Sequence, residues 1–233
     1  MKKKPADIFL IAGGRDSHGR GGDPLLAQIF SLIGRERPEV AYIGAASRDS
    51  LIFFKWISSL LKKSGAGPVR LAALASRRAD PAAARSLLAE ADVVFVSGGD
   101  VESGMKILER GGFSALLKAL HHDGKPFVGL SAGSIMLAQS WVRWADAADD
   151  ASVQVFPCLG LAPLLCDTHA EKEEWEELKV LLGLTEAIVG YGIPAGAALR
   201  VSADGSLHAL GKPVRRLAWR GGRAEGIGDL PVS

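Results

Sequence analysis

The chain has 233 residues, 48% of them hydrophobic and 23% charged, with a formal net charge of +2. That length and apolar fraction suffice for one substantial core and predict a single domain over residues 1–233. The lysines and arginines are scattered rather than gathered in a stripe, which excludes a phosphate backbone as the main partner, so no nucleic-acid binding is expected.

The start, "MKKKPADIFLIAGG", has the basic opening of a signal peptide, but its apolar core covers only residues 8–12 and runs into a glycine turn. It reads as a first strand. No apolar stretch approaches the roughly 18 residues of a membrane span, and a soluble protein is expected. The glycine-rich "AGGRDSHGRGGD" (12–23) fits neither G-x-G-x-x-G nor the P-loop, and reads as a mobile loop at a crevice, carrying His18. Further strands are predicted at 39–43, 68–72, 93–96 and 126–130. Each is short and apolar, as strands covered on both faces are. Helical periods lie between them at 24–33, 51–63, 81–90 with proline leading, 103–121 with a break at Gly111 and Gly112, and 131–138. "SRDS" (47–50) stands where it could edge the same crevice and cap the next helix. Alternation of this kind predicts a three-layer α/β/α fold with a mostly parallel sheet. After about residue 153 the pattern changes to short strands at 158–166, 187–191, 198–202, 206–210 and 215–219, with one helix at 172–182. The turn signals "ADGS" and "GGR" make these an antiparallel C-terminal extension of the sheet. The two cysteines, Cys158 and Cys166, are too few for a disulfide framework and fit a reducing cytoplasm. No cluster of metal ligands and no cofactor fingerprint occurs, so neither metal nor cofactor is expected.

The chemistry concentrates in "KPFVGLSAGSIML" (125–137), where Gly129-x-Ser131-x-Gly133 joins a strand to an apolar helix. A serine on such a turn can be a nucleophile held on a strained elbow. It can also be an ordinary helix cap. A nucleophilic serine needs a base, because its hydroxyl is not ionised at neutral pH. His121 and His122 end a helix, His18 lies in the first glycine loop, and His208 lies in a predicted hairpin. His169, in "LLCDTHAEKEE", stands just past one strand and just before a helix, and is the favoured base. A carboxylate should orient the imidazole. Asp146, Asp167, Asp100 and Glu171 are candidates, and spacing does not choose among them. "FVSGGDVESG" (95–104) offers the bare amides of Gly98 and Gly99 for an oxyanion hole.

Taken together, "GGD" after the fourth strand, "GLSAGS" after the fifth and "DTH" at 167–169 resemble the peptidase E and cyanophycinase family of serine hydrolases. That resemblance implies a class I glutamine amidotransferase-like, flavodoxin-like fold, with serine in place of the amidotransferases' cysteine. It implies Ser131 as nucleophile, His169 as base, and the amides of Gly98, Gly99 and Ala132 as oxyanion donors. By the dipeptidase branch Asp146 would be the acid, whereas the cyanophycinase position for an acid is filled here by Ala195. The implied function is a serine-type dipeptidase or isopeptidase acting on short peptides. Where aspartyl-specific members carry arginines after the histidine, this chain has "HAEKEEWEEL", whose glutamates would repel an aspartyl side chain. Most of these glutamates are expected on a solvated face, with Trp175, Leu178 and Leu182 packing inward. Two other functions are weighed: an amidotransferase-like binding or scaffold protein without catalysis, and an α/β-hydrolase esterase using His208. A second copy of the chain is the one macromolecular partner left open.

Overall fold

A computed structural model describes residues 5–13, 21–76, 79–146, 148–186 and 189–233. His18 and most of the first glycine loop lie outside the described residues. Strands β1 (Ile8–Ile11), β2 (Val40–Ile43), β3 (Val69–Ala72), β4 (Val93–Val96) and β5 (Phe127–Leu130) run parallel to one another. Late strands β10 (Ala198–Val201) and β11 (Leu207–Leu210) extend this sheet antiparallel, giving the order β11-β10-β1-β5-β4-β2-β3. Both faces are covered. In β1, Ile8 and Leu10 point into one apolar cluster and Phe9 and Ile11 into the other, as the two-residue period of a strand demands. Helices α1 (Pro24–Ile33) and α2 (Leu51–Lys63) supply Ile29, Phe30, Ile57 and Leu61 to one face. Helices α3 (Pro81–Glu90), α4 (Val101–Arg110), α5 (Phe113–His122) and α6 (Ala132–Leu137) supply Leu88, Met105, Leu117 and Met136 to the other. Burial of side chains of this size is worth about 1.5–3 kcal/mol each.

The helix starts follow the sequence signals. Asp23 and Asp80 accept from the first free amides of α1 and α3, each ahead of a proline, and Ser50 accepts from Phe53 at α2. In "SRDS", Asp49 turns inward and accepts from the amides of Leu74, Ala75 and Ser76.

The C-terminal half is richer than one extended sheet. Of the predicted 158–166 segment only its end is strand, in β8 (Leu165–Thr168). Strand β8 pairs in parallel with β9 (Val189–Ile193), followed by β12 (Val214–Arg220) and β13 (Arg223–Leu230), in a separate four-stranded sheet. A further hairpin of β6 (Ser140–Trp144) and β7 (Val153–Pro157) stands beside it. Helix α7 spans Glu176–Thr185 rather than 172–182, because Glu174 and Trp175 adopt positive φ of 50° and 63° ahead of it. That turn drives the Trp175 ring against Gly192 of β9, where any Cβ would meet it. Trp175, Leu178, Leu181 and Leu182 form a third cluster with Val142, Leu165 and Leu217. Among the described residues no helix is long and apolar enough to cross a membrane.

Candidate active site

The turn after β5 separates the two readings of Ser131. It stands in the N-cap position of α6, yet its side chain makes no cap hydrogen bond and its backbone sits at φ 53°, ψ −122°. Such a conformation costs of order 1–3 kcal/mol for a residue with a Cβ. Two contacts over-determine it: the Ser131 amide donates to the Ile11 carbonyl (2.8 Å), and the Ser134 hydroxyl donates to the same oxygen (2.9 Å). Gly133 lies against the end of β4, where an added Cβ would collide with the Val96 carbonyl. The elbow is therefore clamped between β1 and β4, with its hydroxyl left over.

That hydroxyl meets His169. Ser131 Oγ and His169 Nε2 lie 2.7 Å apart. The histidine is carried at the end of β8, whose register beside β9 lets the His169 amide donate to Ile193 (2.9 Å), and it too has a positive φ, 47°. The hydroxyl can donate to a neutral imidazole at this distance, the arrangement that a general base needs.

The oxyanion candidates converge on the same place. Gly99 (φ 142°) is pressed against Ala46, and a Cβ on Gly98 would stand 3.2 Å from that of Ser131. Among the described residues no acceptor meets the amides of Gly98, Gly99 or Ala132. Gly99 and Ala132 line one cleft of about 510 Å³ together with Ser131 and His169.

The four candidate acids are placed differently, and the structure does not bring Asp146 to the imidazole. Strands β6 and β7 pair as a hairpin and carry Asp146 to an exposed position after β6, where its carboxylate accepts from the Ala148 amide (2.9 Å). Asp100 caps α4 through the Ser103 amide (2.7 Å). Glu171 accepts from the amide of Ala195 (2.6 Å), the residue that fills the cyanophycinase position for an acid. Asp167 accepts from the Thr168 amide (2.7 Å) and lines the cleft, with its second oxygen buried and unpartnered among the described residues. Burial pushes its carboxyl up to about 6, while attraction to His169 works in the opposite sense. No carboxylate hydrogen-bonds His169 among the described residues. His208 lies in β11, against Ser206 and Ser233, and not beside Ser131, which removes the α/β-hydrolase arrangement. Neither thiol suits nucleophilic work: Cys158 is pushed up to about 12 by burial, and Cys166 is fully enclosed and raised further.

The cleft also holds Trp141, which the sequence left unassigned, and three of the glutamates after His169. Trp141 from β6 donates its indole N–H to Glu177 (2.9 Å), and Glu173, Glu176 and Glu177 complete the wall.

Three comparisons bear on this arrangement. The sequence model of peptidase family S51 matches residues 8–208. Over 120 residues the chain is 26% identical to pyridoxal 5'-phosphate synthase subunit PdxT of Anoxybacillus flavithermus. That stretch is 50% of this chain, and the chain spans only 57% of the length of this curated relative. The crystal structure of a peptidase from an acI-B1 Actinobacterium superposes with a TM-score of 0.74 at 17% identity, over 99% of this chain and 98% of that one. A putative peptidase E protein from Listeria monocytogenes EGD-e gives 0.64 at 16% identity, over 88% and 98%. At these identities the structural likeness is one of fold.

Proposed function

The chain belongs to peptidase family S51, serine peptidases of the peptidase E type, and from that premise we propose that it hydrolyses short peptides through an acyl-enzyme on Ser131. The observation that carries this reading is the 2.7 Å approach of the Ser131 hydroxyl to His169 Nε2 on a strained turn that leaves the helix uncapped. In the first half-reaction, Ser131 Oγ bonds to the scissile carbonyl carbon and its proton passes to His169 Nε2. The amides of Ala132, Gly98 and Gly99 receive the oxyanion. Collapse of the tetrahedral intermediate breaks the C–N bond, and the imidazolium proton leaves with the amine. Water then adds to the ester carbonyl, giving its proton to His169, and collapse returns that proton to Ser131 as the acid product departs. No carboxylate is bonded to the imidazole among the described residues, and the charge of Asp167, two residues back at the end of β8, supports the imidazolium through space. The free thiols fit a reducing cytoplasm as the place of action.

The test is covalent labelling with a fluorophosphonate, followed by peptide mapping. Labelling at Ser131 in the native chain and its absence in Ser131→Ala is the expected result. Equal labelling of both proteins would sink the assignment, and no labelling of either would favour a binding protein on this fold.

A further inference from the structure

The wall of the cleft is one-signed. Asp100, Asp167, Glu173, Glu176 and Glu177 all line it, and among the described residues no lysine or arginine does. Lys179 stands 3.6 Å from Glu176 and 3.7 Å from Glu174, and Glu173 and Glu177 have no ion pair among the described residues. Glu173, Glu176 and Glu177 are solvent-exposed, but they line the same concave, partly apolar cleft as Ser131 and His169, which focuses their field on the approach to that pair.

Two independent features show that this is more than an acidic surface. Asp167 is only 8% exposed, yet one of its oxygens has no hydrogen-bond partner among the described residues, and it faces the same cleft. A buried, half-satisfied carboxylate is costly unless a donor arrives to complete it. Trp141 is pinned in the wall by its bond to Glu177 and backed edge-on by Phe156, ring centroids 6.2 Å apart. A fixed indole face beside carboxylates suits a planar or compact cation.

We infer that this cleft receives a lysine or arginine side chain next to the scissile bond, so that the preferred substrates are short basic peptides. The inference rests on the peptidase reading above and deepens it. A guanidinium or ammonium would stack on Trp141 and be met by Glu173 and Glu177, while an aspartyl side chain would be repelled by the same carboxylates. The preference comes from attraction at the entrance and from the completed hydrogen bonds of the wall.

The experiment is a panel of short peptides identical except for Arg, Lys, Ala or Asp on either side of the cleaved bond, assayed for kcat/KM at low and high salt. Fluorophosphonate labelling of Ser131 runs in parallel. Arginyl and lysyl peptides should exceed the alanyl peptide by about tenfold, the worth of one charge-assisted bond, with aspartyl below it. Salt should narrow the gap. In Glu173→Gln/Glu177→Gln, which keeps the acceptor for Trp141, the arginyl-to-alanyl ratio should fall toward one. Titration of arginyl peptide into Ser131→Ala should show binding that the double glutamine substitution weakens. A labelled Ser131 with equal or greater rates on neutral or acidic peptides, or with no basic peptide cleaved, overturns the cation preference and leaves the peptidase reading standing. Absence of both labelling and cleavage overturns the peptidase reading itself.

Discussion

Strands β4 and β5 are neighbours, and each ends in a turn that starts a helix, but the two turns use their polar side chains oppositely. After β4, Asp100 sits in extended backbone (φ −100°, ψ 121°) and gives its carboxylate to the Ser103 amide. After β5, Ser131 sits at φ 53°, leaves its helix uncapped and gives its hydroxyl to His169. The first choice stabilises the fold by about 1 kcal/mol. The second costs of order 1–3 kcal/mol in backbone strain. The same sequence position, the last residue before a helix, thus serves stability in one turn and leaves a hydroxyl free for a histidine in the next.

The largest break in this comparison is Ser131→Ala. Peptide hydrolysis should fall about 10⁴-fold or more, as when a nucleophile is removed from a preorganised site. Stability in urea should change by less than about 0.5 kcal/mol, because no cap is lost. A loss near 1 kcal/mol would instead return Ser131 to the role of a cap. Next comes Gly133→Ala. Alanine in a helix ordinarily gains about 1 kcal/mol over glycine. Here its Cβ would collide with the Val96 carbonyl, and the clash should win, with a net loss of about 3 kcal/mol by chemical denaturation.

The comparison also explains what could be read beforehand. The five parallel strands, α1 to α3 and the break at Gly111 and Gly112 were legible, because each strand is a short apolar run and each of these helices has a cap or proline. Ser131 and His169 were legible because both stand at strand ends, where side chains reach a crevice. The placement of Asp146 was not. No strand is predicted around it, and only the pairing of Trp141 with Phe156 and of Trp144 with Val153 shows the hairpin. The second sheet escaped for a similar reason: β8, β9 and β12 are joined by pairings distant in sequence, and nothing local announces which sheet a short strand will join. The glutamates of 173–177 read as a solvated face, as charge runs usually are, until the positive φ of Glu174 and Trp175 turned some of them toward the cleft.

Asp167 extends the contrast to a third residue that the site holds at a cost to the fold. Its burial raises its pKa to about 6, against about 3.9 in an unfolded chain. Below pH 4 both states hold the proton and nothing is lost. Between pH 4 and 6 the unfolded chain ionises first, so stability falls, and above pH 6 the penalty is constant. Glu173 and Glu177 face the same group and deepen it, while His169 opposes it. Comparing pH 4 with pH 7, Asp167→Asn should remove about 2 kcal/mol of pH-dependent loss that the native chain shows in denaturant titrations. A pH dependence unchanged by the substitution would mean that Asp167 ionises as freely folded as unfolded.

The smallest effect tests the other turn. Asp100→Ala removes the acceptor for the Ser103 amide and should cost about 1 kcal/mol, while Asp100→Ser, which keeps a cap oxygen in the same extended backbone, should cost a few tenths. A serine accepted at position 100 would sit one strand away from Ser131 and in the same cleft, yet it should take no fluorophosphonate label. Nothing in its turn withholds the hydroxyl from the helix or presents an imidazole to it. If Ser131→Ala/Asp100→Ser were labelled at position 100, a serine at a helix start in this cleft would be sufficient for reactivity. If it is not, the strained elbow and His169 are what make one of two adjacent turns reactive.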